Sequence, residues 1–252
     1  MTVAGVDGCK AGWIAVIRSD AEAEPDARVF SSFATLLAAV PEDATVAVDM
    51  PIGLPDFSGR GGRGPEALVR PLLGERQSSV FSIPSRAAVH AETGDFTDVE
   101  AWYAAHRRAS DVAFRTSEPP RGVSIQAFGI FAKIREIDVL MIARSELRER
   151  VIESHPEVAF WRLNGGRAMS LPKKIKGKVN LAGMEERRAL LALNGHRRDF
   201  LDQPPPRGAA ADDFLDACAM MLVAERHRRG ETVSYPSPPG RDAYGIPVAI
   251  RV

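Results

Sequence analysis

Four aspartates in this chain combine the residue type and the spacing that divalent-metal chemistry requires. Asp7 and Asp49 each end a short apolar run with strand-like composition. Asp213 and Asp216 lie three residues apart in a late apolar stretch, so a helix there would place both on one face. Hard cations such as Mg²⁺ and Mn²⁺ prefer carboxylate oxygens and water. The pattern therefore predicts a metal site built from these four aspartates, and metal-assisted chemistry at a phosphodiester.

Each of these acids also has an ordinary structural explanation. Asp7 precedes a glycine and could start a turn, Asp49 could simply end its strand, and Asp213 could cap a helix. Asp216 is harder to explain in this way, because its neighbours look buried and an unpaired buried carboxylate is costly. Glu153, at the end of another short strand, is a weaker candidate for an additional catalytic oxygen. The four aspartates taken together are more specific than any one of them.

Basic side chains in two predicted loops are candidates for binding a phosphate. Arginine binds phosphate bidentately through its planar fork, and lysine supplies a compact positive charge. The alternative for both groups is a loop whose charges are merely solvated. The candidate substrate-binding residues are Arg70, Arg76, Arg86, Lys173 and Lys174.

The bulk composition describes an ordinary globular protein without an electrostatic bias. The chain has 252 residues, of which 45% are hydrophobic, and this length predicts a single domain over residues 1–252. Lysine plus arginine and aspartate plus glutamate balance at 33 each, so the formal net charge is zero. This balance does not support a protein that coats nucleic acid electrostatically. It leaves room for a nuclease whose basic residues are confined to one face.

The cysteines and the apolar runs indicate where the protein works. Cys9 and Cys218 lack both a CxxC spacing and a zinc-site spacing, which fits free thiols in a reducing compartment. No apolar run reaches the roughly 18 residues of a membrane helix. The N-terminus enters a predicted strand at once, which leaves no room for a signal peptide. We therefore expect a cytoplasmic protein without membrane association.

The order of apolar patterns predicts an α/β fold with a mixed central sheet flanked by helices. An insertion follows the fourth strand at about residues 55–98; it is rich in glycine and arginine, and its first part should form neither strand nor stable helix. Residues 171–178 and 236–241 are predicted loops. The predicted strands are 3–6, 13–17, 28–32, 45–50, 151–155 and 246–252, and the predicted helices are 33–40, 99–115, 125–150, 157–163, 185–193 and 209–229.

Five sequence motifs carry a resemblance to a known family. They are GVDGCKAGW at 5–13, VDMPIGLP at 48–55, SSVFSIPSR at 78–86, IESHPE at 152–157 and DDFLDA at 212–217. In this order they resemble the motifs of a bacterial and archaeal family described as predicted ribonuclease-H-like nucleases. The resemblance spans nearly the whole chain and implies a ribonuclease-H-like mixed sheet.

The resemblance also implies roles for the acids. In the wider superfamily, which includes Holliday-junction resolvases of the RuvC type, one acid lies on the first strand and one at the end of the fourth. One or two more lie on a late helix. By this resemblance Asp7, Asp49, Asp213 and Asp216 are the metal ligands. The fourth-strand acid, often glutamate in resolvases, is aspartate here, and Glu153 lies outside the minimal pattern.

Three functional hypotheses follow. The first is a nuclease or phosphodiesterase that uses two Mg²⁺ or Mn²⁺ ions, with Asp7 bridging them, and hydrolyses DNA or RNA. The second is an ATP-dependent phosphotransferase of the actin and sugar-kinase type, although no GxxxxGK[ST] motif is present. The third is a non-catalytic binding protein that retains the same fold.

Overall fold

A five-stranded mixed sheet lies at the centre of the computed structural model, which describes residues 1–94 and 96–252. Helices flank this sheet, so the predicted α/β fold with a mixed central sheet is confirmed. The five strands in chain order are β1 (Val3–Cys9), β2 (Gly12–Arg18), β3 (Asp26–Phe30), β4 (Thr45–Val48) and β5 (Val151–Glu153).

Helices and two small hairpins complete the described chain. The helices are α1 (Phe33–Ala39), α2 (Pro65–Val69), α3 (Arg86–Val89), α4 (Val99–Arg115), α5 (Ile125–Gly129), α6 (Phe131–Ala143), α7 (Leu147–Arg150), α8 (Pro156–Leu163), α9 (Leu181–Leu193), α10 (Arg198–Leu201) and α11 (Ala211–Arg228). The hairpin strands are β6 (Lys174–Ile175), β7 (Lys178–Val179), β8 (Ser234–Arg241) and β9 (Pro247–Arg251). None of the helices in the described ranges combines the length and hydrophobicity that crossing a bilayer requires.

The strand order β3-β2-β1-β4-β5 places the first and fourth strands side by side. β1 pairs antiparallel with β2 and parallel with β4, and β4 pairs parallel with β5. In the parallel pair Val6 lies opposite Val48, and the Asp49 N–H donates to the Val6 carbonyl at 2.9 Å. Asp7 and Asp49 therefore leave neighbouring strands at the same level.

The two faces of the sheet support two separate hydrophobic cores. Successive side chains of a strand point to opposite faces, and β1 shows this alternation: Val3 and Cys9 pack with α11, whereas Ala4 and Val6 pack with α1 and α6. Helix α11 is buried nearly all round along its length from Phe214 to Ala224. A helix that is apolar on every side belongs inside a protein, and α11 therefore lies directly against the sheet.

Gly5 permits an unusually close approach of α11 to β1. A Cβ atom built on Gly5 would lie 2.2 Å from the Ala217 carbonyl oxygen and 1.9 Å from the Met221 nitrogen. Both atoms belong to the helix backbone, which cannot turn aside as a side chain can. The absent side chain thus sets the distance between the sheet and the helix that carries the late acids.

Several predicted elements differ from those in the structure. The single helix predicted at 125–150 is three helices, since α5 ends at Gly129, α6 begins at Phe131, and α7 follows separately. The first part of the insertion, residues 57–64, forms no helix, and α2 begins at Pro65, whose missing N–H costs nothing at the first helical position. The lysine-rich loop at 171–178 contains part of the β6–β7 hairpin.

The C-terminal segment also departs from the prediction. The loop predicted at 236–241 belongs to β8, which pairs with β9 in a separate two-stranded sheet. Prolines fit this strand because a two-stranded ribbon leaves edge positions without a ladder partner. By contrast, the helix predicted at 99–115 is α4, and Asp98 caps it by accepting the Ala101 N–H at 2.8 Å.

We predict that Gly5→Ala lowers the free energy of unfolding by about 3 kcal/mol, because the added methyl group forces α11 away from β1. Gly129→Ala is the matched control, since a Cβ there meets nothing within 4 Å. That control should leave stability unchanged or raise it by up to about 1 kcal/mol. Urea unfolding followed by circular dichroism measures both, and equal stability of the two variants would contradict the close-approach interpretation.

Candidate metal centre

Three aspartates from distant parts of the chain meet at one point. One carboxylate oxygen each from Asp7, Asp49 and Asp216 can be chosen so that all lie within 4.8 Å of one another. Asp7 lies on β1, Asp49 follows β4, and Asp216 lies in the second turn of α11. We call these three residues the acidic triad.

The fold explains why the acidic triad forms on one face of the sheet. Gly5 and Asp7 are two residues apart on β1, so they point to the same face. The Cβ position of Gly5 is aimed at Ala217 of α11, so this face is the one that α11 covers. Asp216 precedes Ala217 in the helix and arrives beside Asp7. Register brings Asp49 to the same level from β4.

Burial and mutual repulsion raise the pKa values of the triad. Burial, followed by repulsion from Asp49 and Asp216, raises the pKa of Asp7 well above its usual value. Burial raises the pKa of Asp49 to about 7. The pKa of Asp216 rises to about 6 for the same first reason, although Lys173 acts in the opposite direction. Added positive charge at this point would favour the ionised forms of all three.

The hydrogen bonds of the acidic triad leave capacity for a cation. Asp7 Oδ1 accepts the N–H of Gly8 at 2.6 Å, and Asp216 Oδ2 pairs with the ammonium of Lys173. Asp216 Oδ1 is buried and has no hydrogen-bond partner in the described structure. An unsatisfied buried carboxylate oxygen calls for a ligand, and three clustered carboxylates are the donors that Mg²⁺ and Mn²⁺ prefer. The acidic triad therefore fits a divalent ion.

Asp213, the fourth predicted ligand, lies one helical turn away from Asp216 and outside the acidic triad. Its Oδ2 accepts the backbone N–H of Ala210 at 2.9 Å, so it caps the start of α11 as the ordinary explanation expects. It is half-buried, and burial raises its pKa above the usual value. From the neighbouring turn of α11, its negative charge helps to raise the pKa values of Asp7 and Asp49.

Glu153 lies on the opposite face of the sheet from the acidic triad. It pairs in register with Val48, whose side chain packs in the core away from α11. Arg63 donates to both carboxylate oxygens, at 2.5 and 2.9 Å, and the Ile52 N–H donates at 2.7 Å. Strand alternation thus directs Glu153 and Asp49 to different faces, although both line one cavity at the end of the sheet. The Glu153 oxygens are engaged by an internal ion pair.

Arg63 was not identified from the sequence, because it lies in the glycine-rich part of the insertion. Its guanidinium also pairs with Glu66 at 2.8 Å, and its side chain is only 1% exposed. Because Arg63 is buried between Glu66 and Glu153, its positive charge serves to neutralise these two acids inside the protein. An arginine in a glycine-rich segment carries no sequence signal for such a role.

The three predicted phosphate-binding arginines are engaged within the protein. Arg70 donates to the carbonyls of Val80 and Gly61 and to the Ser82 hydroxyl. Arg76 pairs with its neighbour Glu75 at 3.2 Å. These contacts hold the insertion in its conformation.

Arg86 joins the insertion to distant segments. It pairs with Asp138 of α6 at 2.9 Å and with Asp242, between β8 and β9, at 2.6 Å, and it lies over the Tyr244 ring. Two buried carboxylates and an aromatic face thus hold the guanidinium of Arg86 within the protein. Arg86 contacts no member of the acidic triad in the described structure.

The two predicted lysines contact the acidic helix α11. Lys173 pairs with Asp216, and Lys174 pairs with Asp212 at 2.5 Å. Burial disfavours the charged form of Lys173, but neighbouring carboxylates, Asp216 foremost, outweigh it and hold the pKa of its ammonium above the usual value. Lys173 is therefore a member of the centre itself.

Lys133 of α6 is a further cation near the centre that sequence analysis did not identify. Its ammonium donates to the Gly12 carbonyl at 2.5 Å and lies 4.7 Å from the centre of the Trp13 ring. Burial lowers its pKa, while nearby acids including Asp7 act against that decrease. One lysine on an amphipathic helix gives no sign in the sequence that it will reach a strand end.

A cavity of about 170 Å³ opens beside the acidic triad at the carboxyl ends of β1, β4 and β5. Asp7, Asp49 and Lys133 contribute to its wall. This volume is comparable to a cavity that holds one aromatic ring. Its apolar lining residues are Met50, Val80, Phe81, Ile83, Ile130 and Ile250.

Comparison with known proteins places the chain in a family. A family model described as "Protein of unknown function (DUF429)" matches residues 5–241. The chain belongs to this family. The match includes all three members of the acidic triad. No curated protein and no solved structure matches the chain significantly.

We predict that Asp49→Asn changes the pH dependence of stability in a definite direction. Because the folded protein raises the pKa of Asp49 from 3.8 to about 7, it binds this proton more tightly than the unfolded chain does. The stability from Asp49 is present at low pH and is lost as pH rises between about 4 and 7.

The free energy of unfolding of Asp49→Asn relative to the original protein should therefore rise between about pH 5 and about pH 8, by a few kcal/mol at most. Urea unfolding in EDTA measures it. Asp111→Asn, on the exposed side of α4, is the control and should show no such trend. A flat or falling difference for Asp49→Asn would refute the raised pKa.

We predict that Glu153→Gln destabilises the protein but leaves its affinity for Mn²⁺ nearly unchanged. It leaves Arg63 with a weakened buried partner and should lower the free energy of unfolding by about 3 kcal/mol. Its Mn²⁺ affinity, measured by calorimetry, should stay within about twofold of the original, whereas Asp49→Asn should lose about tenfold or more. Equal losses of affinity in the two variants would instead place Glu153 among the ligands.

Proposed function

We propose that this chain is a divalent-metal-dependent hydrolase of nucleic-acid phosphodiester bonds with a ribonuclease-H-like fold. The observation that carries the proposal is the convergence of Asp7, Asp49 and Asp216 within 4.8 Å. Bringing these three carboxylates together is unfavourable in itself, because repulsion from Asp49 adds to burial in raising the pKa values of Asp7 and Asp216. Strain of this kind concentrates at functional sites.

The topology supports the ribonuclease-H-like part of the proposal. An antiparallel set, β1 to β3, is followed by the parallel strands β4 and β5. The acids lie on the first strand, after the fourth strand and on the late helix, which is the placement that the sequence resemblance implies. Agreement between the motif positions and the observed strand order favours this fold over other mixed sheets.

The chemistry follows from what each group in the centre can do. Asp7, Asp49 and Asp216 would hold Mg²⁺ or Mn²⁺, and the bound ion would supply Lewis acidity at the phosphate. The Gly8 N–H fixes one oxygen of Asp7, which orients the carboxylate toward its neighbours. Lys133 and Lys173 place positive charge on two sides of the centre, where a phosphodiester carries its negative charge.

The cavity beside the acidic triad supports a substrate that presents one ring-sized group. Its wall combines apolar side chains with Asp7 and Asp49, so a group held there lies next to the carboxylates. Holding a reacting bond in place is a large part of catalysis for phosphodiester cleavage. A nucleotide unit has this combination of a flat ring and an adjacent phosphate.

The two alternative hypotheses have less support from the geometry. A kinase-type phosphate loop needs glycines whose backbone is open to a ligand. At Gly8 a Cβ would meet Lys133 carbons at 2.6 and 2.8 Å, and at Gly12 it would meet the Phe30 oxygen at 2.2 Å. These glycines make room for the protein's own atoms. A non-catalytic binding protein, for its part, gains nothing from a costly acidic triad.

We predict Mn²⁺-dependent cleavage of DNA or RNA oligonucleotides by the purified protein, and its loss in EDTA. Asp7→Asn should lower the rate at least about 100-fold, equivalent to roughly 2.7 kcal/mol of transition-state stabilisation, because it removes one of the three carboxylates that would hold the metal ion. Asp111→Asn is the control and should cut at the original rate. Gel analysis of labelled strands measures cleavage; undiminished cutting by Asp7→Asn would refute the proposal.

A further inference from the structure

Lys173 lies inside the acidic centre as a cation supplied by the protein itself. Its ammonium pairs with Asp216 Oδ2, and its side chain is 21% exposed. The opposite oxygen, Asp216 Oδ1, is the one without a partner. The lysine therefore occupies one side of this carboxylate and leaves the other side available.

The backbone around Lys173 is held firmly in place. Its carbonyl accepts the Asn180 N–H at 2.8 Å, and the Asn180 side chain donates to the Pro172 carbonyl at 2.9 Å. Gly183 of α9 packs on Pro172 so closely that a Cβ would lie 2.1 Å from that carbonyl oxygen. These contacts fix the chain on both sides of Lys173. Its position beside Asp216 is thus built into the packing of α9.

A second ion pair fastens the same segment to α11. Lys174 pairs with Asp212 at 2.5 Å, one helical turn before the Lys173–Asp216 pair. Glu157, buried beneath the centre and paired with Arg187 at 2.6 Å, adds negative charge that also attracts Lys173. The two ion pairs and the packing of α9 together hold Lys173 beside Asp216.

The charges decide how many ions the centre can take. When ionised, Asp7, Asp49 and Asp216 carry three negative charges, and Lys173 cancels one of them. The remainder balances one divalent ion. A second divalent ion would leave the centre two charges positive while Lys173 stays, and like charges a few ångströms apart repel strongly in a partly buried site.

We propose that Lys173 takes the place of a second metal ion, so that the acidic triad binds one divalent ion. The proposal rests on the metal-dependent function proposed above and revises the two-ion arrangement expected from the sequence resemblance. Asp7, Asp49 and the free oxygen of Asp216 would hold this ion. Lys173 remains on the other oxygen as a positioning residue, and its charge is permanently available to a substrate phosphate.

The experiment measures Mn²⁺ stoichiometry at about pH 8. Calorimetric titration and native mass spectrometry count bound ions, and electron paramagnetic resonance distinguishes an isolated Mn²⁺ from a coupled pair. The original protein should bind one ion. Lys173→Met, which keeps most of the side-chain volume without its charge, should bind two. Lys173→Arg, which keeps the charge, should bind one.

Lys174→Met is the matched control, because its partner Asp212 lies outside the acidic triad; it should still bind one ion. Two ions in the original protein, or one ion in Lys173→Met, would overturn the inference and leave metal dependence standing. No ion in the original protein would refute the proposed function as well. If Lys173→Met does not fold, Lys173→Gln removes the charge with a polar side chain and should likewise bind two ions.

Discussion

Repulsion among three clustered carboxylates is the constraint around which the centre of this protein is arranged. Asp7, Asp49 and Asp216 come together against their own electrostatics, so rigid elements must hold them there. Backbone hydrogen bonds between β1 and β4 fix two of the acids. Direct packing of α11 on Gly5 fixes the third. Packing of the core thus offsets the repulsion within the acidic triad. A bound cation of suitable charge would reduce that repulsion.

The protein already supplies some of that positive charge. Lys173 pairs with Asp216 and Lys133 lies near Asp7, whereas the arginines of the insertion form ion pairs and hydrogen bonds elsewhere. A neutral overall charge is therefore compatible with an anionic substrate, because the two lysines that matter lie at the centre. Local placement decides electrostatic recognition more than net charge does.

Much of the secondary structure could be predicted because it depends on local patterns. Helix α4 and the strands β1 and β4 follow from apolar periodicity and capping residues. The split of residues 125–150 into three helices could not be predicted, since the apolar density there is continuous. Strand β8 was missed because its prolines are typical of loops, and only its pairing with β9 makes it a strand.

The sequence by itself determined which acids were available and which elements would carry them. It also determined that Asp213 and Asp216 share a helix face, because that spacing is a local property. The tertiary structure decided which acids meet: strand register directs Glu153 to the far face toward Arg63, capping turns Asp213 to the helix start, and α9 delivers Lys173 to Asp216. Register and packing arise between segments far apart in the chain, and no local pattern encodes them.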